Sequence, residues 1–250
     1  MSLTCFKPNF NIEILDNEQV VLFSEDRHHL LKGSIYVAIA EIIRFTPLSE
    51  QDIIDNLSRK FPVELTKEAL RRLKTKNFTV KNCNKTPKNI TGFWSDLLLE
   101  NPNKEGFAIV VKNFSKHSSS ELVNALKNLS LEVAEFGGFF VVIVDNYICG
   151  ELADFNEARL KDGTPWMLLK PSGSTIWIGP IFEPNRTGCW NCLVEKLKEN
   201  RRVEVDLFGL KDTDLNIPSI CHLPTTLNIA MNLAANEVAK WERSDQPHKL

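Results

Sequence analysis

The chain lacks the features that would send it out of the cytoplasm. Its first residues, Met-Ser-Leu-Thr-Cys, do not form the basic then apolar start of a secretory signal. Its longest purely apolar run, residues 139–144 (FFVVIV), is far below the roughly 20 residues that a membrane-spanning helix needs. A cytoplasmic protein with no membrane partner is therefore expected. Charge of one sign is also lacking: the formal net charge is −2 over 250 residues, which argues against bulk affinity for nucleic acid, because phosphate neutralisation needs a clustered basic surface. Cysteine is sparse. Six thiols, Cys5, Cys83, Cys149, Cys189, Cys192 and Cys221, are too few in a chain this long for a disulfide framework. In a reducing compartment that leaves metal binding, buried thiols or chance.

What remains is ordinary globular material, 43% hydrophobic and 25% charged, with room for one large or two small cores. Residues 11–23 give two short apolar runs around Asp16-Asn17-Glu18, a hairpin signal, and His28–Lys32 adds a third strand. Ile35, Ile39, Ile42 and Ile43 then share one helical face until Thr46-Pro47 breaks the pattern. Ser49 is the expected cap of a second helix, with Ile53, Ile54 and Leu57 inward, stopped by Phe61-Pro62. Thr66 is the expected cap of a third, with Ala69, Leu70 and Leu73 inward, before a closing strand at residues 78–80. Three strands, three helices and a final strand over residues 1–85 describe a winged helix-turn-helix.

That topology has two uses. Residues 1–85 carry 13 Lys/Arg against 11 Asp/Glu, and Lys67, Arg71 and Lys74 fall at i, i+4, i+7 on the third helix with Arg72 and Lys76 beside them. A DNA reader would lay this basic helix in a major groove. A peptide reader would instead accept an extended chain on the open edge of the third strand, with side chains entering the groove against the third helix. Any one of these cations also has an ordinary reading as part of a solvated helix face.

Residues 82–89 are polar with one proline and read as a linker, and Phe93-Trp94 with Leu97, Leu98 and Leu99 as a short helix after it. A second domain, assigned to residues 86–250, alternates a strand at 106–111, a helix at 119–128, strands at 131–136 and 139–144, and a helix at 151–160. This alternation implies a mainly parallel sheet. A phosphate cradle would place glycine in the turn after the first strand, so that backbone amides can approach the phosphate. Residues 112–120 contain none, and Gly137-Gly138 precedes a strand, so it reads as a turn. A serine-rich cradle stays open. His117, Asp145 and a serine could compose a hydrolytic triad, yet no Gly-x-Ser-x-Gly elbow frames any serine. Asp145, at a strand end, reads as a ligand position or a strand terminator, and the second is preferred.

The most informative segment runs from residue 165 to 202. Apolar runs at 166–169 and 176–181 flank Lys170-Pro171-Ser172-Gly173-Ser174, and Cys189 and Cys192 follow at the start of a helical pattern with Leu193 and Leu197. A Cys-x-x-Cys at a helix start is half of a zinc ligand set. The Trp-leading strand, the Lys-Pro-x-Gly turn, Trp177-Ile178-Gly179-Pro180 and the Thr187-Gly188-Cys189-Trp190-x-Cys192-Leu193 knuckle ending in Asn200-Arg201 resemble the ThiF-like partner proteins of azoline-forming cyclodehydratases.

This resemblance implies an α/β protein: an N-terminal winged helix-turn-helix acting as precursor-recognition domain, then a truncated ThiF-like, Rossmann-like domain. In that family the partner binds the leader of a ribosomally made precursor peptide and presents its core to a YcaO-type enzyme, which uses ATP to cyclise Cys, Ser or Thr. The implied role is a non-catalytic scaffold subunit with no catalytic residues and no nucleotide cofactor. Peptide binding falls to His28–Lys32 and Thr66–Lys76, with His28, His29, Leu30, Leu31 and Lys32 and, on the helix, Lys67, Leu70, Arg71 and Lys74 singled out. The implied partners are the leader, a YcaO-type cyclodehydratase and a second copy of the chain, with nucleic acid not expected. An adenylating enzyme and a DNA-binding regulator are the alternatives. Relatives hold zinc with a second Cys-x-x-Cys that does not occur by Leu250. Three readings follow: zinc on Cys189, Cys192 and Cys221 or His222; a half-site completed by another chain; or two reduced buried thiols, which is favoured. The residues after the helix 226–241 read as a tail.

Overall fold

The computed structural model describes residues 2–81, 88–99, 107–200 and 221–244. The linker expected at 82–89, the strand start at Gly106, Arg201 and the tail after Ser244 lie wholly or partly outside these. The chain divides into two compact units, Met1–Asn101 and Pro102–Leu250. The division falls later than the expected 85/86 boundary because the helix at Lys88–Asp96 belongs to the first unit.

In the first unit the elements are β1 (Leu3–Phe6), β2 (Asn11–Asp16), β3 (Gln19–Phe23), β4 (His28–Lys32), α1 (Ser34–Ile43), β5 (Leu48–Ser49), α2 (Glu50–Leu57), α3 (Val63–Thr75), β6 (Thr79–Lys81) and α4 (Lys88–Asp96). They make two antiparallel sheets, β2-β3-β4 and β5-β1-β6. The hairpin forms where Asp16 Oδ1 accepts the Glu18 backbone N–H at 2.7 Å, a local turn that aspartate favours. Alternation does the rest on β3: Val20 and Leu22 are fully buried and meet Ile39 and Ile43 of α1, Ile53 of α2 and Leu73 of α3 in one core. Ser49 caps α2 through Asp52 N–H as expected.

Two expectations need correction here. Thr66 is not a cap. Helix α3 starts at Val63 after Pro62, whose φ of −56° is already set for a helix, and the fully buried Thr66 lies inside it. The closing strand β6 forms and pairs with β1, a strand too short and too close to Lys7-Pro8 to stand out in the sequence. The second correction is Cys5, on β1, which is disulfide-bonded where metal binding, buried thiols or chance were the readings left for the cysteines.

The second unit holds β7 (Ala108–Asn113), α5 (Ser120–Asn128), β8 (Glu132–Val133), β9 (Phe139–Ile143), α6 (Glu151–Asp162), β10 (Trp166–Lys170), β11 (Trp177–Phe182), α7 (Trp190–Glu199) and α8 (Pro224–Arg243). The sheet order is β11-β10-β9-β7-β8, parallel except for the β10–β11 hairpin. The expected strand at 131–136 shrinks to two residues, and Phe136 is 86% exposed. Its neighbour explains the break: a Cβ at Gly137 would stand 2.2 Å from the Ala108 carbonyl oxygen, so the chain crosses β7 in close contact there. In the hairpin turn, Lys170 Nζ donates to the carbonyls of Ser172 and Thr175 at 2.7 and 2.8 Å. Trp190 is anchored in the core, its indole N–H donating to the Tyr147 carbonyl at 2.9 Å.

Candidate functional site

Strand β4 lies at the edge of its sheet and pairs with β3 alone among the described residues. Which of its polar groups stay open follows from the ladder. Gly33 N–H donates to the Glu18 carbonyl, and the Arg27 carbonyl accepts from Ser24 N–H, both at 2.7 Å. Residues 27 and 33 therefore turn their backbone groups toward β3, and by the antiparallel alternation so do His29 and Leu31. His28, Leu30 and Lys32 turn theirs the other way, to the open edge.

A groove of about 980 Å³ runs along that edge. One wall is β4, and the other is the end of α3 from Arg71 through the turn to Phe78, with Ser95 and Leu98 closing part of it. Among the described residues its charged lining is of one sign: Lys7, Arg27, Lys32, Arg71, Arg72 and Lys76, with His28 and His29, and no Asp or Glu. The apolar lining centres on Phe10, His29 and Phe78, whose rings meet in pairs at 5.8, 5.9 and 4.7 Å. The ring of His29 is thus packed against two phenylalanines. Glu68 sets the direction of two cations. It accepts two bonds from Arg71 at 2.7 and 2.8 Å and one from Arg72 at 2.8 Å. These bonds hold its carboxyl down at about 2.

Of the residues expected to bind peptide, the structure gathers His28, His29, Leu30, Leu31, Lys32 and Arg71 around this groove. The other three lie elsewhere. Lys67 pairs with Glu64 at 3.1 Å on the exposed face of α3. Leu70 is a core residue at 7% exposure, and with Lys74 it borders a separate pocket of about 50 Å³ beside β1 and β6. The groove-facing stripe of α3 is instead Arg71, Arg72, Thr75 and Lys76, offset by part of a turn from the i, i+4, i+7 choice. Sequence reasoning also missed Phe10, Tyr36, Phe78 and Leu98. Phe10 and Phe78 each sit beside a turn, where an aromatic without periodic neighbours is the signal that could have been read.

In the second unit, Cys189 is the N-cap of α7 and its sulfur lies 3.8 Å from that of Cys192. Burial pushes the Cys189 thiol up, but the backbone N–H groups of Cys192 and Asn191 and the Cys192 side chain outweigh it, and the net direction is down. The expected burial does not hold: Cys189 is half-buried and Cys192 exposed, because α7 turns Trp190 and Val194 inward and Cys192 falls on the opposite face. Two sulfurs bound at about 2.3 Å to one tetrahedral zinc sit about 3.8 Å apart, so the pair has the span of two zinc ligands. Among the described residues no third His, Cys, Asp or Glu completes such a group. His222 lies instead against the ring of His117 at 4.7 Å. The pair fits as half of a zinc set.

Several polar groups of the turn after β7 are met within it or by Asp145. Asn113 donates to the His117 carbonyl at 2.7 Å and accepts from the backbone N–H and hydroxyl of Ser115 at 2.9 Å. Asp145, preferred above as a mere strand terminator, accepts from Lys116 N–H at 3.2 Å and approaches His117 Nε2 at 3.8 Å, so it ties this loop to the end of β9. The Ser115 hydroxyl is engaged with Asn113, and that of Ser118 with Ser120.

A family model described as a winged helix-turn-helix domain matches residues 5–81. A search of curated proteins finds no match. Among solved structures, a heterocyclase in complex with substrate and cofactor superposes with a TM-score of 0.86 at 29% identity, over 97% of this chain and 34% of that one. The heterocyclase TruD gives 0.86 at 30% identity, over 97% and 36%. The chain thus spans about a third of the length of these heterocyclases. E. coli MccB gives 0.58 at 13% identity over 97% of this chain and 87% of that one, a likeness of fold.

Proposed function

We propose that this chain is the leader-binding part of a peptide heterocyclase system: its first unit takes up the leader of a ribosomal precursor as an added strand on β4, and the chain presents the precursor core to a YcaO-type cyclodehydratase for azoline formation. The observation that carries this reading is the open edge of His28, Leu30 and Lys32 facing a groove whose ionisable side chains are all basic or imidazole. Strand addition supplies sequence-tolerant affinity through backbone bonds, each worth about 0.5–1.5 kcal/mol net. The basic lining selects acidic segments and speeds encounter. Likeness to heterocyclases over nearly the whole chain supports the pathway.

Positional work fits this chain better than chemistry. The turn after β7 spends its donors on Asn113, Ser115 and Asp145, where an adenylating domain would turn backbone amides to a phosphate. Tethering a leader raises the effective concentration of the core at a partner's active site to the order of mM. The DNA-reading alternative would use the exposed face of α3 around Lys67, and there Lys67 pairs with Glu64 of the same helix.

The test is a titration of a fluorescent leader, taken from a short precursor encoded beside this protein, against wild type and the double variant Lys32→Glu/Arg71→Glu. Micromolar or tighter binding, weakened about 100-fold by the variant, is expected. No binding, together with measurable affinity for ATP or DNA, would overturn the reading.

A further inference from the structure

Three helices of this chain end in the same way. After α3, Phe78 N–H returns to the Leu73 carbonyl and Asn77 N–H to that of Lys74, both at 2.9 Å. After α5, Leu131 N–H returns to Leu126 at 3.0 Å and Ser130 N–H to Lys127 at 2.9 Å. After α4, Leu99 N–H returns to Trp94 at 2.8 Å and Leu98 N–H to Ser95 at 3.1 Å. Each pair of bonds closes the helix around one residue in the left-handed region, Asn77 at φ 60°, Ser130 at 62° and Leu98 at 60°. That position favours glycine and then asparagine, because a Cβ there crowds the backbone. Asn77 and Ser130 are small and polar. Leu98 is the wrong residue for its backbone.

Burial does not explain it, since Leu98 is 63% exposed. Nor does the motif, whose customary apolar contact joins the flanking positions, here Leu99 and Trp94. What Leu98 does is line the groove. It is held there by built contacts: Asn9 Nδ2 donates to Asp96 Oδ1 at 3.2 Å, Arg27 donates to the Asp96 carbonyl at 3.3 Å, and a Cβ on Gly92 would stand 3.3 Å from the Pro8 carbonyl oxygen. These contacts fix the end of α4 beside the start of β4, outside the 5–81 span of the winged-helix match. At the other end of β4, Lys32 lies with Tyr36 and with Arg72, which interacts with Tyr36.

We propose that Leu98 is a specificity-determining residue: it forms an apolar subsite that takes a bulky aliphatic side chain of the bound acidic peptide. The inference rests on the groove being the peptide site. Strand β4 spans about 13 Å between its end residues at ~3.3 Å per residue, so the aliphatic residue lies about four positions from the carboxylates that meet Lys32 and Arg72. A strained, exposed leucine at a ligand groove is what selection for binding over stability leaves behind.

The test uses the full chain and a set of fluorescein-labelled acidic peptides in which a single leucine is walked along a serine-containing parent. On wild type, one leucine position should bind about tenfold tighter than the parent, the scale of partial leucine burial. Leu98→Asn should erase that preference and melt at the same or a higher temperature. A preference that survives in Leu98→Asn, a wild type with no preference, or a variant that melts lower would each overturn the inference. Failure of every peptide to bind wild type would instead bring down the groove reading itself.

Discussion

Strand β4 in the first unit and the turn after β7 in the second are both places where backbone donors leave regular structure, and they treat those donors in opposite ways. On β4 alternate N–H and C=O groups find no strand partner beyond β3 among the described residues, and the charged side chains lining the groove there are of one sign. After β7, Asn113, Ser115 and Asp145 absorb the backbone groups of the loop within it or from the end of β9. An unmet hydrogen-bonding group at a groove is a capacity to bind, and a met one has been given up to structure. On the proposed reading, the contrast puts recognition in the first unit and support in the second.

The strongest challenge to that contrast is a change that should cost stability and nothing else. Gly137→Ala puts a Cβ where only 2.2 Å separates it from the Ala108 carbonyl oxygen, and a loss of about 3 kcal/mol is expected in chemical denaturation, from overpacking against backbone. A milder effect separates the two edges of β4. Leu30→Pro deletes an outward N–H and should weaken leader binding about tenfold, with circular dichroism unchanged, because an edge strand tolerates proline on its free side. Leu31→Pro deletes a bond to β3 and should unfold the unit. If both variants bind equally well, the strand is not the docking edge.

Acid should act weakly and in one direction. The Glu68 carboxyl is held at about 2, below its ordinary 4.5, so its contribution to folding is complete above 4.5 and is lost as pH falls through about 2. Thermal melts between pH 5 and 2 should show a slightly shallower decline for Glu68→Gln than for wild type, small because the group is exposed. Smallest of all is Lys67→Glu, off the groove beside Glu64, which should change leader affinity less than twofold in the same titration.

Much of the architecture was legible in the sequence because it is written in local patterns. The β2–β3 hairpin, α1 and the β10–β11 hairpin follow from apolar alternation, helical spacing and turn residues, which are fixed within a few positions of themselves. Strands β1 and β5, of four and two residues, owe their form to partners far along the chain, so nothing local announces them. The same division runs through the site. The strand half, His28–Lys32, was chosen from its own pattern and lines the groove; of the residues singled out within Thr66–Lys76, only Arg71 does. Apolar periodicity identifies which face of α3 is buried through Ala69, Leu70 and Leu73, yet which exposed flank borders the groove depends on where β4 lies. Leu98 was invisible for a related reason, since a left-handed leucine contradicts the preferences from which turns are read.

The parity of β4 carries one more consequence, in the language of isotopes. Amide hydrogens of His29 and Leu31 are locked in the ladder to β3, while those of His28, Leu30 and Lys32 face outward. In deuterated water the free protein should exchange every second amide of this strand quickly and keep its neighbours. Residue by residue, an occupied groove would turn that alternation into continuous protection, so β4 records its own occupancy along five consecutive amides.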